Sequence, residues 1–140
     1  MGGAALERTL FIVKPDAVER NLIGKIIAMI EESGLKVVAL KMTRLTKQTA
    51  SEFYAVHQGK PFFDNLAAYM TSGRIVAGVV EGEDAIKRLR AACGATDPAK
   101  ASPGTIRATY GKNLTMNSVH ASDAPATARV EVGFFFADLG

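Results

Sequence analysis

The sequence predicts an α+β domain, a mostly antiparallel sheet with helices covering one face. Three observations predict it. Short, nearly continuous apolar runs of strand type recur along the chain. Segments of helical periodicity separate them. The resulting order (β, α, β, α, α, β, α, long loop, short helix, β) is not the regular alternation that builds a parallel α/β sheet. No segment repeats at a period of roughly 20–50 residues, which excludes solenoids and propellers.

Thr9–Val13 (TLFIV) is short and almost wholly apolar, the pattern of a buried strand. Leu22, Ile23, Ile26, Ile27 and Ile30 then recur on one helical face, and Gly34 supplies the stop. Lys36–Thr43 (KVVALKMT) has the β-branched content of a strand, but its lysines predict one wet side. Thr46 is placed to cap a helix carrying Ala50, Phe53, Tyr54 and His57. Pro61 opens a short helix with Phe63, Leu66 and Met70 on one face. Arg74–Val80 (RIVAGVV) is a second buried strand. Glu83 and Asp84 favour the start of a helix that turns Ile86, Leu89 and Cys93 inward and ends at Gly94. Ala95–Lys112, with Asp97-Pro98, Pro103-Gly104 and Gly111, is expected as a long loop, functional or disordered. Ser122 reads as the N-cap of a short helix, and Gly133–Phe136 (GFFF) as the last strand.

Composition narrows the function classes. A chain of 140 residues, 48% hydrophobic and 22% charged, fits a single domain over residues 1–140 with a core that needs no staples. One cysteine, Cys93, excludes an intrachain disulfide, and with two histidines it excludes four-cysteine or two-cysteine, two-histidine zinc sites. Its place on an apolar helical face reads as packing. No apolar run approaches the ~20 residues of a membrane span. The N-terminus lacks a secretion pattern, and Met1-Gly2 is followed by Leu6 where myristoylation favours Ser or Thr. A soluble cytoplasmic protein is expected, without membrane attachment. The net charge is +3, but the 17 basic and 14 acidic side chains are scattered and no polybasic arm exists. Nucleic acid is therefore not a required partner, although a few bases could converge on a small polyanion.

Neither GxxxxGK[ST] nor GxGxxG occurs, so any nucleotide is held without those loops. Three local signals stand out. Lys14-Pro15-Asp16 follows the TLFIV strand directly; a lysine at a strand mouth can hold an anion, though Pro and Asp also make a plain turn, which is the stronger reading of the tripeptide alone. In Asn117–Asp123 (NSVHASD), followed by Glu131, a histidine among Asn, Ser and Asp suits a nucleophile or general base, and a carboxylate on its other nitrogen would fix the tautomer. A surface histidine beside an ordinary helix start is the stronger reading of this segment alone. Arg90, Thr96 and Arg107 surround the long loop; two arginines on one pocket make a phosphate clamp, whereas singly such arginines are usually solvated.

Taken together, these stretches resemble the nucleoside diphosphate kinase family. The matching segments are ERTLFIVKPDAV (Glu7–Val18), IG (Ile23-Gly24), FYAVH (Phe53–His57), KPFFDNL (Lys60–Leu66), SGRIV (Ser72–Val76), EGEDAI (Glu81–Ile86), GATDP (Gly94–Pro98), PGTIR (Pro103–Arg107) and NSVHASD. They run in order over nearly the whole chain. The resemblance implies a ferredoxin-like α+β fold, a four-stranded antiparallel sheet covered by helices. It also implies transfer of the γ-phosphoryl of a nucleoside triphosphate, mainly ATP, to a nucleoside diphosphate, through a phosphohistidine and with Mg²⁺. By the same resemblance His120 is the nucleophile, attacking through Nδ1, with Glu131 orienting the ring and Ser122 assisting. Lys14, Arg90, Thr96 and Arg107 are implied on the phosphates, and Lys14 and Asn117 on the sugar 3′-hydroxyl. Phe62 is the implied base platform, with Leu66 and Leu114 in the same slot, Tyr54 and His57 near the pocket, and Asp123 reaching Mg²⁺ through water. Homo-oligomers, tetramers or hexamers built from dimers, are implied as well. A nucleotide sensor without turnover or a docking protein would leave the histidine and the full phosphate set unexplained. The sequence departs from the family at Ala121, where Gly is usual, and at Lys60 and Arg74, where Arg and Pro are common. Ala121 is expected at negative φ, its methyl turned away from the phosphates.

Overall fold

The two apolar runs become neighbouring central strands because each carries apolar side chains on both sides of its pleat. In the computed structural model, which describes residues 6–55, 59–61 and 63–139, β1 (Leu6–Val13) pairs with β3 (Ile75–Glu83) along its whole length, from Leu6 opposite Glu83 to Val13 opposite Val76. The edges are β2 (Lys36–Thr43) beside β3 and β4 (Val119–Ala121) beside β1, giving the all-antiparallel order β2-β3-β1-β4. The β2 register is interrupted between Val37 and Ala39.

Seven helices occur among the described residues: α1 (Pro15–Glu19), α2 (Ile23–Glu32), α3 (Lys47–Phe53), α4 (Phe63–Met70), α5 (Ala85–Cys93), α6 (Ile106–Tyr110) and α7 (Pro125–Phe135). They cover both faces of the sheet, not one as expected. Phe11, Val13, Val80, Val119 and Ala121 meet Ile26 and Ile30 of α2 and Leu89 and Cys93 of α5. On the other side Leu10, Ile12, Ala77 and Val79 meet Ala50 of α3, Ala67 and Met70 of α4, and Val132 and Phe135 of α7. Period-two alternation sends odd and even residues of an apolar strand to opposite faces, so both must be buried. No helix of the described residues is long and apolar enough to cross a membrane.

The expected helix boundaries are met where capping chemistry is local. Thr46 Oγ1 accepts from the Thr49 N–H (3.1 Å) while Thr49 Oγ1 accepts from the Thr46 N–H (2.8 Å), a reciprocal capping box at α3. Gly94 ends α5 at φ 87°, and Cys93 is fully buried there; burial pushes its thiol pKa up to about 11, so it is packing and not a nucleophile. Pro61 lies in the turn before α4.

Four further expectations need correction. GFFF is not a strand: Gly133, Phe134 and Phe135 lie in α7, and the fourth strand is the histidine segment Val119–Ala121. Ala128, Val132 and Phe135 share a helical face buried against β1, and that packing overrides the β preference of the aromatics. Ser122 is not an N-cap, since α7 starts at Pro125 with Ala124 before it. Lys14-Pro15-Asp16 opens the one-turn helix α1, Pro15 supplying the N1 residue that needs no N–H partner. Ala95–Lys112 is broken by a 3₁₀ turn, Pro98–Lys100, and by α6, each capped by the residue before it: Asp97 Oδ1 accepts from the Ala99 N–H (3.0 Å) and Thr105 Oγ1 from the Ala108 N–H (3.3 Å).

Gly78 shows how tightly the sheet centre is filled. A Cβ there would lie 2.3 Å from Phe11 Cζ and 2.9 Å from Leu40 Cδ2. Phe11 is fully buried and its ring has no room to retreat. Gly78→Ala is expected to cost about 1–3 kcal/mol through overpacking. Urea denaturation checks this; a midpoint equal to the wild type would contradict it.

Candidate active site

The site is built where β4 meets β1. Val119 and Ala121 point into the α2/α5 layer, so alternation turns His120 to the other face, opposite Ile12. There α7 crosses the sheet and presents Glu131 beside its buried Ala128, Val132 and Phe135. His120 Nε2 lies 2.8 Å from Glu131 Oε1, and the same oxygen accepts from Ser122 Oγ at 2.6 Å. A carboxylate only accepts, so the imidazole proton sits on Nε2 and the lone pair on Nδ1. Among the described residues Nδ1 has no hydrogen-bond partner. Phe53 meets the ring edge-on, with centroids 5.7 Å apart.

Cations and amides converge from the other end of the cleft. Lys14, at the end of β1 and 7% exposed, donates to Asn117 Oδ1 (2.8 Å) and to the Thr115 carbonyl (3.3 Å). Asn117 Nδ2 donates to the Thr96 and Leu114 carbonyls (3.0 and 3.2 Å), tying three loop segments to one amide. Arg107, from α6, donates to the Gly94 carbonyl (2.8 Å) and the Val119 carbonyl (2.8 Å), while its Nε is buried without a partner among the described residues. Arg90, in the last turn of α5, donates to the Ala121 carbonyl (3.2 Å).

Burial shapes the electrostatics. Desolvation first, and Arg107 second, lower the Lys14 pKa to about 8, with Asp16 opposing. Desolvation also lowers that of Arg107. Burial, then Glu131, raises the Tyr54 phenol, which stays protonated.

These groups line one cleft of about 560 Å³, a size ordinary for a small-molecule site. It brings together Lys14, Tyr54, Leu66, Arg90, Thr96, Arg107, Leu114, Asn117, His120, Asp123 and Glu131. Ser122 sits behind, reaching the cleft through Glu131. Phe62 and His57 lie outside the described residues. Phe53, Ala126, Thr127 and Val130 also line it, and the sequence reading missed them. Phe53 was legible only as an apolar helix position, and the other three belong to α7, whose end was read as a strand. Ala121 is absent from the positive-φ residues, as expected; it packs in the core layer opposite His120 and also lines the cleft. The left-handed residue beside this strand is Ser118, at φ 76°, a conformation costing an L-residue on the order of 1–3 kcal/mol.

A nucleophilic nitrogen facing clustered Lys and Arg suits transfer of an anionic electrophile. No group of three His, Cys, Asp or Glu side chains among the described residues could hold a metal by itself. With Glu131 engaged by His120 and Ser122, Asp123 is the one carboxylate left beside several cations in the cleft, which fits an ion carried in on phosphates.

Comparison with known proteins agrees. The family model described as nucleoside diphosphate kinase matches residues 7–139. The nucleoside diphosphate kinase of Nitratidesulfovibrio vulgaris (strain DP4) is 59% identical over 131 residues, 94% of each chain. That of Persephonella marina is 56% identical over 135 residues, 96% of each chain. Among solved structures, the Aquifex aeolicus nucleoside diphosphate kinase superposes with a TM-score of 0.93 at 48% identity, covering 96% of this chain and 98% of that one. A Halobacterium salinarum nucleoside diphosphate kinase in complex with CDP gives 0.91 at 46% identity, with 94% and 88% covered. The ferredoxin-like sheet, the histidine cleft and these matches over nearly the whole length agree: the chain belongs to the nucleoside diphosphate kinase family and carries its phosphotransferase activity on nucleotides.

Proposed function

We propose that the reaction is a ping-pong exchange through a phosphohistidine at His120. The observation that carries this reading is the 2.8 Å contact from His120 Nε2 to Glu131, which leaves Nδ1 as the free nucleophile in a cleft lined by Lys14, Arg90 and Arg107. In the first half-reaction the Nδ1 lone pair attacks the γ-phosphorus, the bond to the β-phosphate oxygen breaks, and the nucleoside diphosphate leaves. In the second, a terminal phosphate oxygen of the acceptor diphosphate attacks the same phosphorus and the N–P bond breaks. Glu131, held by Ser122, keeps the proton on Nε2 and balances the positive ring that forms. Lys14, Arg90, Thr96 and Arg107 bind the phosphates, so transfer relies on positioning and charge neutralisation. Lys14 and Asn117 take the sugar 3′-hydroxyl. Phe62 takes the role of base platform in this reading; the apolar Leu66 and Leu114 line the cleft, with Tyr54 at its wall. A stacking platform reads any base by its π-face, so base tolerance is expected.

Kinase chemistry of this kind needs a divalent cation, which neutralises charge across the phosphates. We take that cation to be Mg²⁺, which Asp123, exposed at the cleft rim, would hold through water. The chain acts in the cytoplasm as a homo-oligomer, a tetramer or hexamer built from dimers. What supports assembly is the outer strand β2, where Leu40 and Met42 are half exposed on one face.

The deciding experiment is incubation with γ-labelled ATP and Mg²⁺, then a chase with GDP. The expected label is acid-labile and alkali-stable, and GDP removes it as GTP. Intersecting initial-rate lines with no isolable phosphoenzyme would overturn the mechanism. Acidity gives a second expectation. Lys14 holds an anion only while protonated, so kcat/KM should fall as pH rises through about 8. Lys14→Arg should move that fall to higher pH, and a wild-type profile flat well beyond this point would remove Lys14 from the phosphate set.

A further inference from the structure

The buried carboxylate of Asp16 has no part in the mechanism above, although its side chain is only 7% exposed. Its Oδ1 accepts from the Tyr69 hydroxyl, and the Asp16 N–H donates back to the same oxygen of Tyr69 at 3.1 Å. Burial first, then the bond to Asp16, raises the Tyr69 phenol, so it remains a donor. The other carboxylate oxygen, Oδ2, takes the Ser118 hydroxyl at 3.4 Å. Ser118 is fully buried and has φ 76°, and across it the Val119 N–H donates to the Asn117 carbonyl at 3.0 Å. That bond closes a γ-turn with Ser118 at its centre. The turn sits between Asn117 and the strand bearing His120. Its carbonyl is held as well, by the Lys14 N–H at 2.9 Å.

The β1–α1 turn and the segment before β4 are therefore joined by side chains at two levels, besides the Lys14 N–H bond to the Ser118 carbonyl and the Lys14 Nζ bond to the Thr115 carbonyl. Lys14 Nζ meets Asn117 Oδ1, and two residues further on Asp16 meets Ser118. A left-handed non-glycine residue persists only where its surroundings over-determine it. Here the surroundings are Lys14 on one side of the turn and Asp16 on the other. The negative charge of Asp16 also opposes the desolvation and the Arg107 field that act on the Lys14 ammonium.

We infer that Asp16 is a positioning residue for the sugar end of the cleft, acting through the Ser118 turn and the Lys14–Asn117 pair. The inference rests on the reading that Lys14 and Asn117 contact the 3′-hydroxyl. Asp16 touches no substrate; it acts on the two groups that do, through its bond to Ser118 and its charge near Lys14.

The test compares wild type, Asp16→Asn, Ser118→Ala and the double variant with ordinary and 3′-deoxy nucleoside diphosphates as acceptors. The wild type should prefer the 3′-hydroxyl acceptor in kcat/KM. Asp16→Asn should lower that preference about tenfold, because a small misplacement of positioning groups has large kinetic effects. Ser118→Ala should lower it less, and the double variant should add little to Asp16→Asn, since both act through one turn. A residue that only supports the fold would reduce both acceptors equally. If Asp16→Asn fails to fold, Ser118→Ala decides, as it removes a single hydroxyl. A wild type indifferent to the 3′-hydroxyl overturns the Lys14–Asn117 reading and the inference with it. A wild type that discriminates, with variants that discriminate equally, overturns the inference alone.

Discussion

His120→Gln is expected to fold like the wild type and to lose phosphoryl exchange by about 10⁴-fold or more, the scale seen when a covalent nucleophile is removed. The structural side of this expectation follows from the contacts. Glu131 Oε1 is held by Ser122 Oγ at 2.6 Å as well as by the histidine, so the carboxylate does not lose its only donor. A glutamine amide can supply the second one. Its nitrogen lone pair is delocalised and does not attack phosphorus, so binding survives and chemistry stops. Thermal denaturation checks the fold, a coupled NDP assay checks turnover, and γ-labelled ATP checks for a covalent adduct. Persistent acid-labile label in this variant would place the nucleophile elsewhere.

Arg107→Ala should damage both stability and rate. Arg107 is 8% exposed, and its guanidinium bridges the Gly94 and Val119 carbonyls at 2.8 Å each, joining α6 to the end of α5 and to β4. Truncation strands two carbonyls in poorly hydrated positions, at a cost of about 2–4 kcal/mol in total. It also removes a preorganised cation from the cleft, and loss of one such group lowers kcat about 10²–10³-fold. The rate effect should exceed the effect on KM, since charge on the transferring group matters most in the transition state. Arg107→Lys should recover part of kcat and little stability, because one ammonium cannot replace the planar fork that spans both carbonyls. Equal losses in kcat and stability for Ala and Lys would mean that Arg107 is only a brace.

What could be read from the sequence was local. The β1 and β3 runs are apolar beyond any helix-like period, and they form the sheet centre. The α2 face, the Thr46 box and the Gly94 stop depend on residues within a few positions of one another, so neighbours in sequence sufficed. The resemblance singled out the candidate site residues, and of those that the structure describes the cleft gathers all but Ser122, which reaches it through Glu131. Tertiary structure decided the remainder, where the partner is distant in sequence. Gly133–Phe135 became helix because Val132 and Phe135 could be buried against β1, more than a hundred residues earlier. Helices covered both faces because strand pairing placed two-sided apolar strands at the centre. Asp16 changed from a turn residue to a buried carboxylate, and at Ser122 the expected cap gave way to the place beside Glu131 that the resemblance implied. Local propensity fixes which backbone conformations are inexpensive; the choice among them belongs to burial and to hydrogen bonds closed over long separations, which exist only once the chain has packed.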